Sequence, residues 1–298
     1  MFYYYNHIQK TESDWGSIGI KHVTFSPKEL RENIPEIVFQ KDNLGYMFQS
    51  DLSIVDNHIN TCDRFIPLLK RGQSVSDYIK IHGITNNNFY SFLAEGLLAL
   101  VYRDITGYKI AKAVIDIDGT LNDSHTGADA CMYDDINNVI VLGEAKFYKN
   151  SRDGINAIIN DFINHKIVNK LESLCKISTT RRVTKTILMH NLGTGAHEEI
   201  TIDKFLSQKI VFAGFVLHDE KESNIKNYKD ATRYDGYKID IAALNRNIES
   251  SFSGLKLAHN NYEIIIVHLP IDSKDQLIKD VIEKAQNERR RLEKCLVP

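Results

Sequence analysis

The stretch that decides the fold is residues 129–146, which read DACMYDDINNVIVLGEAK. Two runs rich in apolar and β-forming residues, 128–133 and 139–148, lie on either side of the polar segment 134–138. Strand-length runs separated by a short Asp- and Asn-rich segment are typical of a β-hairpin. The sequence therefore predicts two antiparallel strands here.

The register of this hairpin brings acidic and basic side chains together. A turn centred between Ile136 and Asn137 places Asp129 opposite Glu144, with their β-carbons about 5 Å apart. Lys146 follows Glu144 by two residues, so both side chains project from the same face of the strand. The hairpin is thus predicted to present two carboxylates and one ammonium group to one small volume.

Two carboxylates facing each other destabilise a sheet, whereas a divalent cation between them converts repulsion into coordination. Lys146 would then orient or deprotonate a water bound to the metal and neutralise charge on phosphorus. The alternative is a solvated Glu–Lys pair on an edge strand. Residues 139–142 are apolar on both faces, however, which is typical of a buried strand where unused charges are costly. The pattern favours metal-assisted phosphodiester hydrolysis.

The rest of the chain predicts an α/β fold with a mixed β-sheet flanked by helices. Apolar spacing and strand-length runs predict helices at 89–104, 155–175 and 273–296 and strands at 109–117, 184–190, 210–218 and 262–269. The Asn-rich run at 86–88 suggests a boundary, with an N-terminal α+β region at 1–85 and a second domain at 86–298.

Composition limits the classes of function. The 298 residues include 37 Lys and Arg against 39 Asp and Glu, so binding of nucleic acid by bulk positive charge is not expected. Arg181, Arg182 and Lys185 form a candidate phosphate-contacting patch, with a solvated loop as the alternative. Four dispersed cysteines, no signal peptide and no membrane-length apolar segment predict a cytoplasmic protein without membrane contact.

A competing motif lies just upstream of the hairpin. Residues 113–121 resemble the first motif of haloacid-dehalogenase-type phosphatases, with Asp116 as nucleophile and Asp118 as acid/base. That fold requires repeated strand–helix units after the motif, whereas this chain enters a hairpin within about ten residues. The phosphatase interpretation is kept as an alternative.

Three segments carry a more specific resemblance. Residues 95–104, 125–131 and 142–148 resemble the HamA family, the nuclease subunits of the Hachiman antiphage defence system. The spacing of Asp129 from Glu144-Ala145-Lys146 is similar to the pattern of the PD-(D/E)xK nuclease superfamily. The likeness is clearest over residues 89–150.

This resemblance implies a restriction-endonuclease-like core in a Mg²⁺-dependent DNA nuclease, with Mn²⁺ as a possible substitute, working with the superfamily-2 helicase HamB. Asp129, Glu144 and the main-chain carbonyl of Ala145 would bind the metal, and Lys146 would be the catalytic lysine. Glu95, on the preceding helix, would add a further acidic ligand. The alternative within this family is a nuclease-like scaffold that regulates the helicase without essential catalysis.

Overall fold

The computed structural model describes residues 4–5, 11–13, 16–23, 26–66, 77, 87–112, 129–149, 151–163, 166–180, 182–193, 195, 198–219 and 262–295. Its strands are β1 (Tyr4–Tyr5), β2 (Thr11–Ser13), β3 (Gly16–Val23), β4 (Lys109–Lys112), β5 (Ala130–Asp134), β6 (Val139–Tyr148), β7 (Lys209–Asp219) and β8 (Tyr262–Ile271). Its helices are α1 (Pro27–Val38), α2 (Lys41–Phe48), α3 (Val55–Arg64), α4 (Asn87–Thr106), α5 (Ser151–Ile163), α6 (Lys166–Thr180), α7 (Arg182–Asn191), α8 (Ile202–Leu206) and α9 (Lys274–Cys295).

The strands form one mixed sheet in the order β1-β3-β8-β7-β6-β5-β4, with β2 paired to β3. Strands β3, β8, β7 and β6 run parallel to one another, while β4, β5 and β6 form an antiparallel meander. Along the chain, helix α4 is followed by the strands of this meander, then by helices α5 to α8, and then by strand β7. The fold is α/β with a mixed sheet, as the sequence predicted.

The predicted hairpin register is confirmed in the β5–β6 pair. Paired residues run from Ala130 with Gly143 to Asp134 with Val139. Asp134 Oδ1 stabilises the turn by accepting the backbone N–H groups of Ile136 and Asn137 at 3.0 Å and 3.1 Å. Because the polar side chain of Asp134 supplies these acceptors, the turn is determined by local sequence.

Helices cover both faces of the sheet. One face, here called the α4 face, packs against α1, α2, α3, α4 and α9, through Val139, Val141 and Ala145 of β6. The other, the α5 face, packs against α5, α6, α7 and α8, through Ile140 and Leu142. Since side chains alternate along a strand, Glu144 and Lys146 belong to the α5 face.

Two glycines in the central strands allow these helices to approach closely. A β-carbon on Gly143 would lie 2.8 Å from Leu98 Cδ2 of α4, on the α4 face. A β-carbon on Gly214 of β7 would lie 2.7 Å from Ile158 Cγ2 of α5, on the α5 face. Both distances are too short for a side chain, so each glycine determines how near a helix lies to the sheet.

Two element predictions are wrong. Residues 184–190, predicted as a strand, belong to helix α7, in which Leu188 is buried and His190 is exposed. A buried strand and an amphipathic helix can share the same short apolar run, so the sequence pattern did not separate them here. The single helix predicted at 155–175 is two helices, α5 and α6, which pack against each other. Of the strand predicted at 109–117, β4 forms the first part and the remainder lies outside the described residues.

The N-terminal region contributes to the same sheet. Strand β3 pairs in parallel with β8, and Arg31 of α1 bonds to Asp272 at 2.7 Å and to Asp280 of α9 at 2.6 Å. The boundary between residues 85 and 86 stays a prediction. Among the described residues, no helix combines the length and apolar character needed to cross a membrane.

Candidate active site

Asp129 lies where the β5–β6 hairpin opens. Its backbone N–H donates to the Gly143 carbonyl at 2.9 Å, and its Oδ2 accepts the backbone N–H of Ala145 at 2.7 Å. The regular β5–β6 pairing begins at Ala130, the next residue in the chain. The carboxylate of Asp129 therefore acts as a substitute backbone acceptor, which fixes it against β6.

Glu144 and Lys146 lie next to this carboxylate on β6. Glu144 is only 5% exposed, and its Oε1 lies 2.9 Å from Lys146 Nζ. Its register neighbour on β7 is Gly214, which has no side chain to crowd the site. The structure thus brings together Asp129, Glu144 and Lys146, the three side chains predicted from the hairpin.

Two further charged residues, missed by the sequence analysis, complete the cluster. Asp161 of α5 places Oδ2 at 2.6 Å from Lys146 Nζ, and Lys170 of α6 donates to Glu144 Oε2. Both are buried, at 8% and 6% exposure. The available signal was their position within apolar stripes: Asp161 precedes Phe162 and Lys170 precedes Leu171. A charged residue in the buried stripe of an amphipathic helix is costly unless it is paired.

Burial and a neighbouring carboxylate both affect the pKa of Asp129. Burial raises the pKa of Asp129, and the adjacent charge of Glu144 raises it further, to about 7. The hydrogen bond from Ala145 and the nearby Lys170 and Lys146 partly offset this increase. The ionised form of Asp129 is therefore disfavoured unless additional positive charge is present.

The surroundings of Lys146 favour its charged form, unlike those of Asp129. Burial lowers the pKa of its ammonium group, but Glu144 and Asp161 together raise it more, so the pKa lies above its ordinary value. The side chain of Lys146 is 23% exposed, the most accessible of the four charged groups joined by these ion pairs. A cationic group thus lies at the open side of the cluster, where a negatively charged substrate would approach.

The oxygen donors suit a hard divalent cation. Within the described ranges there is no group of three or more His, Cys, Asp or Glu side chains arranged to hold a metal ion. Asp129 and Glu144 supply two neighbouring carboxylates, and Mg²⁺ commonly uses one or two carboxylates together with water and substrate phosphate. Burial and the neighbouring charge of Glu144 raise the pKa of Asp129, and a cation between the two carboxylates would offset both effects. The donor set therefore fits Mg²⁺.

The remaining residues predicted for the site either take no part in the contacts of the charged cluster given above or lie outside the described part of the chain. Glu95 is half-buried on α4, three residues before Leu98, which packs on the α4 face of β6. Arg182 and Lys185 lie on α7, but their side chains are outside the described part, as are Arg181 and the phosphatase candidate Asp116. Metal binding by Glu95 and phosphate contact by the basic residues remain predictions.

A family model described as HamA matches residues 26–285, a span that includes every charged residue of the cluster. A comparison with curated proteins gives no match, and neither does a comparison with solved structures.

Proposed function

Because the chain belongs to the HamA family, which the sequence resemblance connects with Hachiman antiphage defence, we propose that it is the DNA-cleaving subunit of a Hachiman complex. The reaction is metal-dependent hydrolysis of phosphodiester bonds in DNA. The observation that supports it is the meeting of Asp129, Glu144 and Lys146 at the open end of the β5–β6 hairpin.

Asp129 and Glu144 would hold Mg²⁺, or Mn²⁺ in its place, with the main-chain carbonyl of Ala145 as a third oxygen ligand. In a strand the N–H and C=O of one residue point to the same side. The Ala145 N–H points to Asp129, so the carbonyl faces the same side. Glu95 is a proposed additional ligand. When bound there, Mg²⁺ would supply Lewis-acid chemistry, which would polarise the scissile phosphate and increase the acidity of a nearby water.

Lys146 acts on the substrate through its charge and its hydrogen bonds. Glu144 and Asp161 hold its ammonium group at 2.9 Å and 2.6 Å, so the group has a defined position before substrate arrives. A fixed cation beside the scissile phosphate stabilises the negative charge that builds up on the phosphoryl oxygens during water attack. The same group donates a hydrogen bond that orients the water.

Binding of DNA is expected to require a partner protein in addition to this chain. Lys and Arg residues nearly balance Asp and Glu, which gives a formal net charge of −2. Such a protein lacks the general positive field that attracts DNA, so a partner that binds DNA is expected to deliver the substrate. We propose that this partner is a HamB-like superfamily-2 helicase, which also restrains the nuclease until foreign or damaged DNA is engaged.

Two alternatives remain. In one, the chain is a regulatory scaffold for the helicase and its cluster is not needed for defence. In the other, Asp116 acts as the nucleophile of a phosphatase. The antiparallel β4–β5–β6 meander favours the nuclease over the phosphatase, because phosphatases of that type build parallel strand–helix units after the motif.

The test is incubation of the purified chain with plasmid DNA, alone and with a HamB-like helicase, in Mg²⁺ or in EDTA. The proposal expects cleavage in Mg²⁺ that EDTA abolishes and Mn²⁺ restores. It also expects Mg²⁺ to raise the thermal unfolding temperature of the wild type more than that of Asp129→Asn. Intact DNA under every condition, with equal metal stabilisation of both proteins, contradicts the proposal.

A further inference from the structure

One aromatic side chain is exposed beside the candidate active site. Tyr148, the last residue of β6, is 37% exposed. It is the one aromatic residue among the large apolar side chains exposed in the described part of the chain, the others being Ile54 and Ile136. A single exposed apolar side chain is ordinary on a protein surface, so the meaning of Tyr148 depends on where it lies.

Tyr148 lies on the same face of β6 as Glu144 and Lys146. Successive side chains of a strand point to opposite faces, so residues 144, 146 and 148 follow one another along the α5 face, each about 6.6 Å from the next. Exposure increases in the same direction: the side chain of Glu144 is 7% exposed, that of Lys146 is 23% exposed, and Tyr148 is 37% exposed. The site therefore opens to solvent along this row, and Tyr148 is its outermost member.

The fold holds the base of the Tyr148 side chain and leaves the ring accessible. The regular pairing of β6 with β5 ends at Gly143, so among the described strands residues 144–148 pair with β7 alone. The register neighbour of Tyr148 on β7 is His218, which is fully buried. A β-carbon on Gly154 of α5 would lie 3.4 Å from Tyr148 Cβ, so the first turn of α5 packs against the start of this side chain. An exposed ring on a fixed stem thus adjoins the charged cluster.

We propose that Tyr148 stacks on a base of the DNA strand whose phosphate lies at Lys146, so that the site prefers DNA with unpaired bases. This inference rests on the proposed nuclease function and specifies its substrate class. A base inside a duplex is stacked between its neighbours, so an aromatic side chain reaches its face only after the base leaves the stack. Stacking of one base on an aromatic side chain strengthens binding by about 10-fold.

Stacking also fits the charge of this chain. The formal net charge is −2, so contacts with phosphates alone give little affinity for DNA. Every base has a π face, so an aromatic ring adds affinity that requires neither positive charge nor a particular sequence. A helicase separates the strands of DNA, so the proposed partner would deliver unpaired bases to Tyr148.

The experiment compares the binding of two fluorescent probes to the full chain in EDTA at low salt. The probes are a short oligothymidylate and an abasic single strand of the same length, which carry the same phosphates but differ in having bases. The wild type is expected to bind oligothymidylate about 10-fold more tightly than the abasic strand. Tyr148→Ala is expected to bind the abasic strand as the wild type does and to lose about 10-fold in affinity for oligothymidylate. Fluorescence anisotropy measures each affinity.

Cleavage kinetics in Mg²⁺ give a second measurement. On single-stranded DNA, Tyr148→Ala is expected to raise KM by about 10-fold with little change in kcat, because a stacked base is bound equally in the ground state and the transition state. On a duplex of the same sequence, the same change is expected to have little effect on KM. Tyr148→Phe keeps the ring and is expected to restore the lower KM on single strands. Ile136→Ala, at an exposed apolar residue of the hairpin turn, is the control and is expected to match the wild type.

The outcomes separate this inference from the proposed function. Equal wild-type affinities for the two probes overturn the inference, and this measurement requires no variant to fold. An unchanged KM of Tyr148→Ala on single-stranded DNA also overturns it, even where cleavage itself upholds the nuclease proposal. If the wild type cleaves no DNA but keeps a preference for oligothymidylate that Tyr148→Ala loses, the nuclease proposal fails and the contact between Tyr148 and a base is upheld.

Discussion

Lys146 Nζ lies 2.6 Å from Asp161 Oδ2, so an ion pair joins the strand that carries the proposed catalytic lysine to the helix above it. Asp161 does not bind the metal in this proposal. It acts on the reaction through Lys146, whose ammonium group it holds together with Glu144. This relationship makes Asp161 a positioning residue of the candidate site.

Substitution of Asp161 by Asn is therefore expected to lower the rate of DNA cleavage by about 100-fold, because a small displacement of Lys146 weakens its action on the substrate. The KM for DNA is expected to change little, since Asp161 does not contact the substrate. Steady-state cleavage kinetics measure both parameters. Asp153→Asn, at an exposed carboxylate of the same helix, is the control. Equal rates for the two variants contradict the role of Asp161.

The carboxylate of Glu144 and the ammonium of Lys146 are expected to be indispensable for cleavage. Glu144→Gln and Lys146→Met keep side-chain size but remove charge, and each is expected to lower plasmid cleavage by about 1,000-fold or more. Lys149→Met, at an exposed lysine just beyond β6, is expected to retain activity.

Phage protection by the same variants separates the nuclease from the scaffold. The nuclease proposal expects protection to be lost while the complex with the helicase still forms, as measured by co-purification. Protection that survives both Glu144→Gln and Lys146→Met favours the regulatory alternative.

Gly214 is expected to tolerate no side chain. An added β-carbon would lie 2.7 Å from Ile158 Cγ2 and 3.1 Å from Ile266 Cγ1, both on stiff β-branched side chains. Gly214→Ala is therefore expected to lower the free energy of unfolding by about 1–3 kcal/mol. Chemical denaturation measures this change. Gly195→Ala, where the nearest atom is 3.7 Å away, serves as the comparison and is expected to be close to neutral.

His58 is expected to make stability depend on pH at the contact between α3 and α9. Burial lowers the pKa of His58. The carboxylate of Glu288, 3.7 Å away, partly offsets this decrease, whereas the positive charges of Arg291 and Lys41 add to it. Because the folded pKa is below the unfolded pKa, the stabilising effect of the neutral imidazole is present above about pH 6.5. It is lost as the pH falls below that value, where the unfolded chain binds the proton first.

The measurement is the unfolding free energy of the wild type and His58→Gln between about pH 8 and about pH 5. The variant is expected to lose less stability across this window than the wild type. His190→Gln, at an exposed histidine of α7, should follow the wild-type profile. Parallel profiles for the wild type and His58→Gln contradict the assignment.

Local sequence was sufficient for the hairpin and for three side chains of the candidate site. Asp134 provides the acceptors of its own turn, and alternation along β6 places Glu144 and Lys146 on one face. Long periodic segments such as α4 and α9, and the apolar runs of β7 and β8, were also predictable. These features depend on residues close together in the chain, so their physical causes can be read from a short window.

The remaining features were decided by contacts between distant parts of the chain. The segment at 184–190 forms a helix because one side of it packs on the α5 face, which its short apolar run did not reveal. Strand β3 adds to the sheet beside β8, which lies more than two hundred residues later in the sequence. The sequence alone does not predict the register of such a pairing, because the register depends on which surfaces of distant elements are buried against each other.

The sequence by itself determined the family resemblance and the alignment of Asp129, Glu144 and Lys146, because a hairpin is a local structure. Only the tertiary structure added Asp161 and Lys170, since α5 packs on β6 and β7 and α6 packs against α5. The positions of these two residues depend on where α5 and α6 lie over the sheet. That depends in turn on long-range burial and on a glycine that leaves room for a helix.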